Sequence, residues 1–302
     1  MLLAADLALC GGTVAELGAT DVVRIPNVAP DVESRFFGRA TAALGDLDGD
    51  GVSDFAVGAV DSVFILMMNS DGSVKSHRRL SGEMSFGAAL TSVGDLNGDG
   101  ITDLAAGTSL DSTYGSRRGA VYLFLLNSDG TVQRTTTIAS GVGGGPELAD
   151  SDQFGSTLSL IGDLDGDGVP ELAVGAIGDD SGPSGALYVL FLNDDGTVKN
   201  AHNIDRASIG VVDGDSFVSS ASPLGDRDGD GIPDLAVGAA GDDTGGSQRG
   251  AVHILHMGVD GSVKSSTKIA SDLNGGPSLN DGDFFGRAVT AVGDLDGDGV
   301  TV

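Results

Sequence analysis

Between Phe154 and Ala176 the chain reads FGSTLSLIGDLDGDGVPELAVGA. A Phe-Gly pair, a short alternating run, an acidic glycine-rich loop and a run of small and β-branched residues follow one another. Short apolar runs separated by Asp and Gly are the pattern of two strands joined by a tight connection. The same cassette, F-G-x6-G-D-L-D-G-D-G with small variations, begins at Phe37, Phe86, Phe154, Phe217 and Phe285, and these five phenylalanines are expected to be buried. The glycine before the acidic loop (Gly45, Gly94, Gly162, Gly225, Gly293) falls eight residues later each time. A repeat of this regularity decides the architecture before any single residue does.

The first four cassettes continue in the same way. After the loop comes DFAVGA, DLAAGT, ELAVGA or DLAVGA, then an apolar run such as GAVYLFLLN. A turn (NSDG, NDDG or GVDG) follows and leads into SVK, TVQ or TVK. Asp-Gly between β-type runs is a hairpin signal. Each unit therefore holds four strands: A before the acidic loop, B after it, C in the apolar run, and D after the Asp-Gly turn. Repeated four-stranded units predict an all-β chain built as a β-propeller of antiparallel blades. The expected organisation is a partial blade over 1–36, blades at 37–85, 86–153, 154–216 and 217–284, and a truncated blade at 285–302. About five blades are thus represented. GGTVAEL, Gly11 to Leu17, aligns with the Asp-Gly turn and strand D, and only Val300, Thr301 and Val302 follow Gly299. An incomplete ring, one piece of a longer array, is expected over a closed five-bladed one.

The distance between cassettes changes, from 49 residues between Phe37 and Phe86 to 68 between Phe86 and Phe154. All of that change falls in the B–C and D–A connections, while A–B and C–D stay constant in length. In an up-down meander these two sets lie at opposite ends of the blade. One end then carries every acidic loop, and the other every variable loop, where binding usually resides on a rigid scaffold.

The first acidic loop, DLDGDGVSD, places carboxylates at positions 1, 3, 5 and 9 and glycine at 4 and 6. Calcium takes six to eight oxygens, and such a loop supplies them from four side chains and the backbone carbonyl of position 7. The expected ligands are Asp46, Asp48, Asp50, Val52 and Asp54; Asp95, Asn97, Asp99, Ile101 and Asp103; Asp163, Asp165, Asp167, Val169 and Glu171; and Asp226, Asp228, Asp230, Ile232 and Asp234. A fifth set, Asp294, Asp296, Asp298 and Val300, is incomplete because Val302 stands where its last carboxylate belongs. An EF-hand shares the first nine positions but needs Glu at position 12, where Val57, Ala106, Val174 and Val237 stand.

The formal net charge is -28, from 44 acidic and 16 basic residues. That makes nucleic acid and anionic membrane surfaces poor partners. Five calcium ions would leave -18, so part of the acidity has another use. Asp179, Asp180, Asp242, Asp243, Asp281 and Asp283 lie in the variable loops, where they serve solubility or meet a basic or polar partner. No stretch approaches the roughly 20 apolar residues of a membrane helix, and no membrane insertion is expected. Cys10 is alone. MLLAADLALC lacks the basic start of a signal peptide, yet sites of this ion class fill outside cells, so an extracellular or cell-surface location is expected.

Phe154 to Ala176 resembles the FG-GAP repeat of integrin α-subunit β-propellers, and the resemblance covers nearly the whole chain. It implies calcium in the A–B hairpin loops on one face and a protein or carbohydrate ligand on the other. Val218 replaces the glycine of the Phe-Gly pair in one unit. FG-GAP repeats also occur in lectin-like proteins and some polysaccharide lyases, so a structural array or a lyase portion are the alternatives to an adhesion module. No catalytic constellation is legible. His253 and His256, three apart on a strand, point to opposite faces and cannot chelate together. His77 and His202 follow Asp-Gly turns, and Tyr114, Arg117 and Arg118 share one variable loop. The chain is therefore expected to be a calcium-stabilised binding module and not an enzyme.

Overall fold

The computed structural model describes residues 36–82, 85–178 and 185–294. They form four sheets of four antiparallel strands, each in the sequential order A-B-C-D. The first holds β1 (Thr41–Gly45), β2 (Asp54–Gly58), β3 (Ser62–Met68) and β4 (Val74–Ser81). The second holds β5 (Ala89–Gly94), β6 (Asp103–Thr108), β7 (Ala120–Leu126) and β8 (Val132–Ile138). The third holds β9 (Phe154–Gly162), β10 (Glu171–Ala176), β11 (Ala186–Leu192) and β12 (Val198–Asn203). The fourth holds β13 (Phe217–Gly225), β14 (Asp234–Ala239), β15 (Ala251–Met257) and β16 (Val263–Ala270). A single 3-10 turn, Arg206–Ile209, is the only helical element among the described residues. The expected 1–36 segment, apart from Phe36, and the end of the 285–302 segment lie outside them.

Burial follows position in the sheet. The C strands β3 and β11 are buried throughout, whereas the D strand β4 is mostly exposed. A continuous apolar C strand is what a strand covered on both faces requires. The sheets pack in sequence order, with β1 against β5, β5 against β9, and β9 against β13. Each A strand thus adjoins the next A strand, the arrangement of propeller blades about an axis.

Two kinds of glycine make this packing work. Those of the Phe-Gly pair and of the AVGA-type strand meet across the sheet interface. A Cβ on Gly58 would lie 2.1 Å from the carbonyl oxygen of Gly87, one on Gly107 2.0 Å from that of Gly155, and one on Gly238 1.8 Å from that of Gly286. No side chain fits there, so the repeated glycines set the spacing between blades. In the third interface Val218 takes the partner's place at φ 59°, an uncommon conformation for a β-branched residue. The Thr157 hydroxyl donates to its carbonyl at 2.7 Å, tying the third sheet to the fourth.

The phenylalanines of the Phe-Gly pairs fill one recurring slot. Phe37, Phe86, Phe154 and Phe217 pack edge-on against Phe64, Tyr122, Tyr188 and His253, which share one register on the C strands. Phe86, Phe154 and Phe217 are buried. Phe37 and Phe285, expected to be buried too, are only half-buried. They stand at the two ends of the described stack, where a full sheet covers one side alone.

Loop lengths divide as the sequence indicates. The A–B connections run over 46–53, 95–102, 163–170 and 226–233, and the B–C connections over 59–61, 109–119, 177–185 and 240–250. In an antiparallel meander these leave opposite ends of the sheet. Neighbouring sheets are aligned the same way, since Gly162 before one acidic loop approaches Pro233 of the next.

Candidate cation loops

The glycine before each acidic loop ends strand A with positive φ (68° at Gly45, 71° at Gly94), where a bulge interrupts the A–B register. That bulge swings the chain out of the sheet into the loop. Glycines at positions 4 and 6 also have positive φ, for example 76° at Gly49 and 86° at Gly51, with open space where a Cβ would go. Here glycine serves the backbone conformation alone.

The carboxylates organise the turn. Asp46 accepts from the amides of Asp50 at 3.0 Å and Gly51 at 2.8 Å, and Asp50 accepts from Val52 at 2.9 Å. Asp95, Asp163 and Asp226 make the equivalent bonds from position 1. Side chains at position 7 turn the other way: Val52, Ile101, Val169 and Ile232 pack against the cores and anchor the loop.

Position 9 is fully buried. Asp54 accepts from Leu47 at 3.0 Å and from Met68 at 2.8 Å, so one carboxylate joins the acidic loop to the end of strand C. Asp103 and Asp234 repeat the knot with Leu126 and Met257. Glu171, longer by one methylene, accepts from Leu164 at 2.5 Å through Oε2, while its buried Oε1 has no partner. Burial pushes Asp103 up to about 6 and Glu171 up to about 7. A buried carboxylate oxygen without a donor, beside Asp163 and Asp165, fits a cation site, because such an atom costs free energy unless something positive meets it.

Sequence reasoning missed a second partner of these loops. Lys75 on β4 reaches Asp48 at 2.8 Å and Asp50 at 2.7 Å. Lys199 pairs with Asp165 and Asp167, and Lys264 with Asp228 and Asp230. In the second sheet Asn97 replaces Asp at position 3, and the D strand offers Gln133, which accepts from Asn97 at 3.2 Å. The side-chain hydrogen bonds from Lys75 and Lys199 hold Asp50 and Asp167 below the usual carboxylate range. An ammonium group therefore supplies part of the positive charge that three of the loops need.

Three sets of carboxylates approach within ion-binding distance: Asp46, Asp48 and Asp50; Asp163, Asp165 and Glu171; and Asp226, Asp228 and Asp230. Of the fifth loop only Asp294 is among the described residues, and Asp296, Asp298 and Val300 lie outside them. His253 and His256 do face apart. His253 fills the aromatic slot beside Phe217, and burial pushes it down to about 4. His256 instead joins the fourth acidic loop, 3.0 Å from Asp234.

The variable end is held by its own staples. Arg118 pairs with Asp150 at 2.8 Å, and Arg249 with Asp281 at 2.8 Å in the matching loop of the fourth sheet. Asp242 is buried against Lys268, Asp243 accepts from Gln248 at 2.7 Å, and Asp283 accepts from Asn280 at 2.7 Å. These aspartates are built into the loops; Asp179 and Asp180 lie outside the described residues. Arg117 is exposed and Tyr114 half-exposed on the same connection.

The FG-GAP-like repeat model matches residues 40–106, and the FG-GAP repeat model matches 154–190 and 217–255. Integrin alpha-5 of Xenopus laevis is 30% identical over 228 residues, 72% of this chain and 21% of the integrin. The chain belongs to the FG-GAP repeat family. Other relatives of this FG-GAP chain match over shorter spans. Integrin alpha pat-2 of Caenorhabditis elegans is 38% identical over 88 residues, 29% of this chain and 7% of its own length. Phosphatidylinositol-glycan-specific phospholipase D of Rattus norvegicus is 36% identical over 105 residues, 34% of this chain and 12% of the phospholipase. The FG-GAP chain thus spans about a fifth of the integrin and less of the others. No helix among the described residues is long and apolar enough to cross a membrane.

Glu171 gives a test that needs no ligand. Its folded-state pKa is raised from 4.5 to about 7. Without metal its contribution to stability is therefore full below about pH 4.5 and lost as pH rises through about 7. Glu171→Gln removes that dependence. In chelator at pH 8 the variant is expected to melt above the parent, with the gap closing toward pH 4.5. In calcium the order reverses. Thermal melts across this range check both signs; a variant that melts below the parent in chelator at pH 8 would contradict the cation reading of this site.

Proposed function

We propose that the chain is a non-catalytic recognition module of extracellular or cell-surface proteins. Calcium in the A–B loops stabilises it, and a protein ligand binds at the B–C and D–A end. One observation carries this reading: each sheet places its carboxylate cluster at one end and its length-variable loops at the other. Oxygen-only clusters with glycine at positions 4 and 6 suit calcium better than magnesium, which keeps its waters and seldom uses an all-protein cage. Val52, Ile101, Val169 and Ile232 would add their backbone carbonyls, and the D-strand lysines would share the remaining negative charge. Calcium supplies cross-linking charge here and no chemistry.

The variable connections over 109–119 and 240–250 suit recognition because ion pairs hold them. The Arg118–Asp150 and Arg249–Asp281 pairs fix two of them in one shape, so less conformational entropy is lost on binding. Likeness to integrin α chains favours a protein ligand, and an address outside the cell agrees with calcium sites of modest affinity. Asp165→Ala is expected to lower the melting temperature in calcium while leaving capture from a panel of purified secreted proteins unchanged. Replacing Tyr114 and Arg117 together by Ala is expected to reduce capture without moving the melt. The reverse pattern would place recognition at the cation end and overturn the proposal.

A further inference from the structure

The fourth acidic loop differs from the others in one donor. At the register of Met67, Leu125 and Phe191 on the other C strands, β15 carries His256. In three sheets that position holds a buried apolar side chain, and in the fourth it offers an imidazole. His256 Nδ1 lies 3.0 Å from Asp234 Oδ2 and 3.9 Å from Asp228 Oδ2. The donors of Asp228, Asp234 and His256 all lie within 4.8 Å of one another. They come from three places in the chain: the loop, the start of β14 and the end of β15. Asp234 is fully buried and fixed by the amides of Met257 and Arg227, each at 3.0 Å. The imidazole is mostly buried, with 19% of its side chain exposed.

Calcium is a hard cation that selects oxygen, and an imidazole nitrogen adds little for it. Zinc binds His nitrogen and carboxylate oxygen at about 2.0–2.2 Å, which places donor atoms about 3–4 Å apart. The two His256 distances lie in that range. Two carboxylates and one imidazole with a fourth position left for water form a donor set suited to zinc and its neighbours. Lys264 reaches the same Asp228 Oδ2 at 3.4 Å and pairs with Asp230, so a metal held by Asp228 would displace its ammonium toward Asp230.

We propose that the fourth loop is a mixed nitrogen–oxygen site that takes a divalent transition metal of the zinc type through Asp228, Asp234 and His256. This rests on reading the acidic loops as cation sites, and it separates the fourth loop from the calcium class of the other three. The metal acts as a cross-link between the A–B loop and strand C.

The test is calorimetric titration of the whole chain with zinc chloride in millimolar calcium. One zinc equivalent is expected that calcium does not displace. His256→Met, with the residue found at that register in the first sheet, should weaken it by roughly tenfold or more. Met67→His, which sets an imidazole beside Asp48 and Asp54, should add a second equivalent. Zinc bound as tightly by His256→Met as by the parent would overturn the proposal and assign the ion to surface histidines such as His77 and His202. Calcium binding at the loops without a His256-dependent zinc would defeat this inference alone. His256-dependent zinc in a chain that binds no calcium would uphold it and defeat the calcium reading.

Discussion

Chelation is expected to lower the melting temperature by about 10–20 °C. At calcium tenfold above its dissociation constant, each occupied site adds about 1.4 kcal/mol, and four complete loops, the fourth filled by calcium when no zinc competes, add roughly 5–6 kcal/mol. For a chain of this size about 2–4 °C accompanies each kcal/mol, which gives the stated range. The physical source is charge. Loops 46–54, 163–171 and 226–234 each gather four carboxylates, and one lysine per loop answers only part of that repulsion. The second loop has Asn97 and no lysine, so it starts with less repulsion and no internal ammonium. Differential scanning calorimetry in calcium and in EGTA measures the effect. An unchanged midpoint would mean that the lysines and backbone amides alone satisfy these loops.

Gly107→Ala is expected to destabilise by about 3 kcal/mol or more, near the upper end for overpacking, because the atom it meets is backbone and cannot rotate away. The corresponding fall in melting temperature is about 6–12 °C. A Cβ there would lie 2.0 Å from the Gly155 carbonyl oxygen and 3.3 Å from its Cα, so the second and third sheets would have to separate. Gly175→Ala provides the contrast. Its nearest neighbours would be side-chain carbons, Thr157 Cβ at 3.0 Å and Val218 Cβ at 3.3 Å, which shift by a few tenths of an ångström. The effect of Gly175→Ala should therefore be less than half as large. Equal effects in parallel melts would remove the glycine contact as the element that sets blade spacing.

The strands, their order and the two ends of each sheet were legible because each depends on local pattern. Period-2 alternation, the Asp-Gly turns and constant A–B lengths are properties of consecutive residues. The glycine pairs were legible only as a repeated motif. Their reason lies between units, where Gly58 meets Gly87 and Gly107 meets Gly155, and no local pattern records a close approach to the next sheet. Phe37 and Phe285 were expected to be buried for the same local reason, and their half-exposure follows from their place at the ends of the described stack.

The candidate sites show the same division. Carboxylate spacing within each acidic loop is a local signal, so the sequence exposes it fully. Lys75, Lys199 and Lys264 approach the loops from strand D, far along the chain. A signal for them existed: lysine follows the Asp-Gly turn wherever position 3 is Asp, and Gln133 stands there where position 3 is Asn97. His256 was weighed only against His253, and strand alternation separates those two correctly. Its approach to Asp234 depends on the C strand ending beside the acidic loop, which the sheet register shows. Asp242, Asp281 and Asp283 looked like free surface charge. Their pairing with Lys268, Arg249 and the Asn280 amide is a matter of loop folding that composition cannot reveal.

Calcium stoichiometry of the intact chain tests the central claim most directly. Equilibrium dialysis with radioactive calcium should count at least three bound ions in the parent, one for each complete oxygen loop, with the fourth loop adding one when no zinc competes. Asp165→Ala should bind one fewer than the parent under the same conditions. A parent chain that binds no calcium, or a variant that binds as many ions as the parent, would contradict the assignment of the acidic loops as the cation sites of this fold.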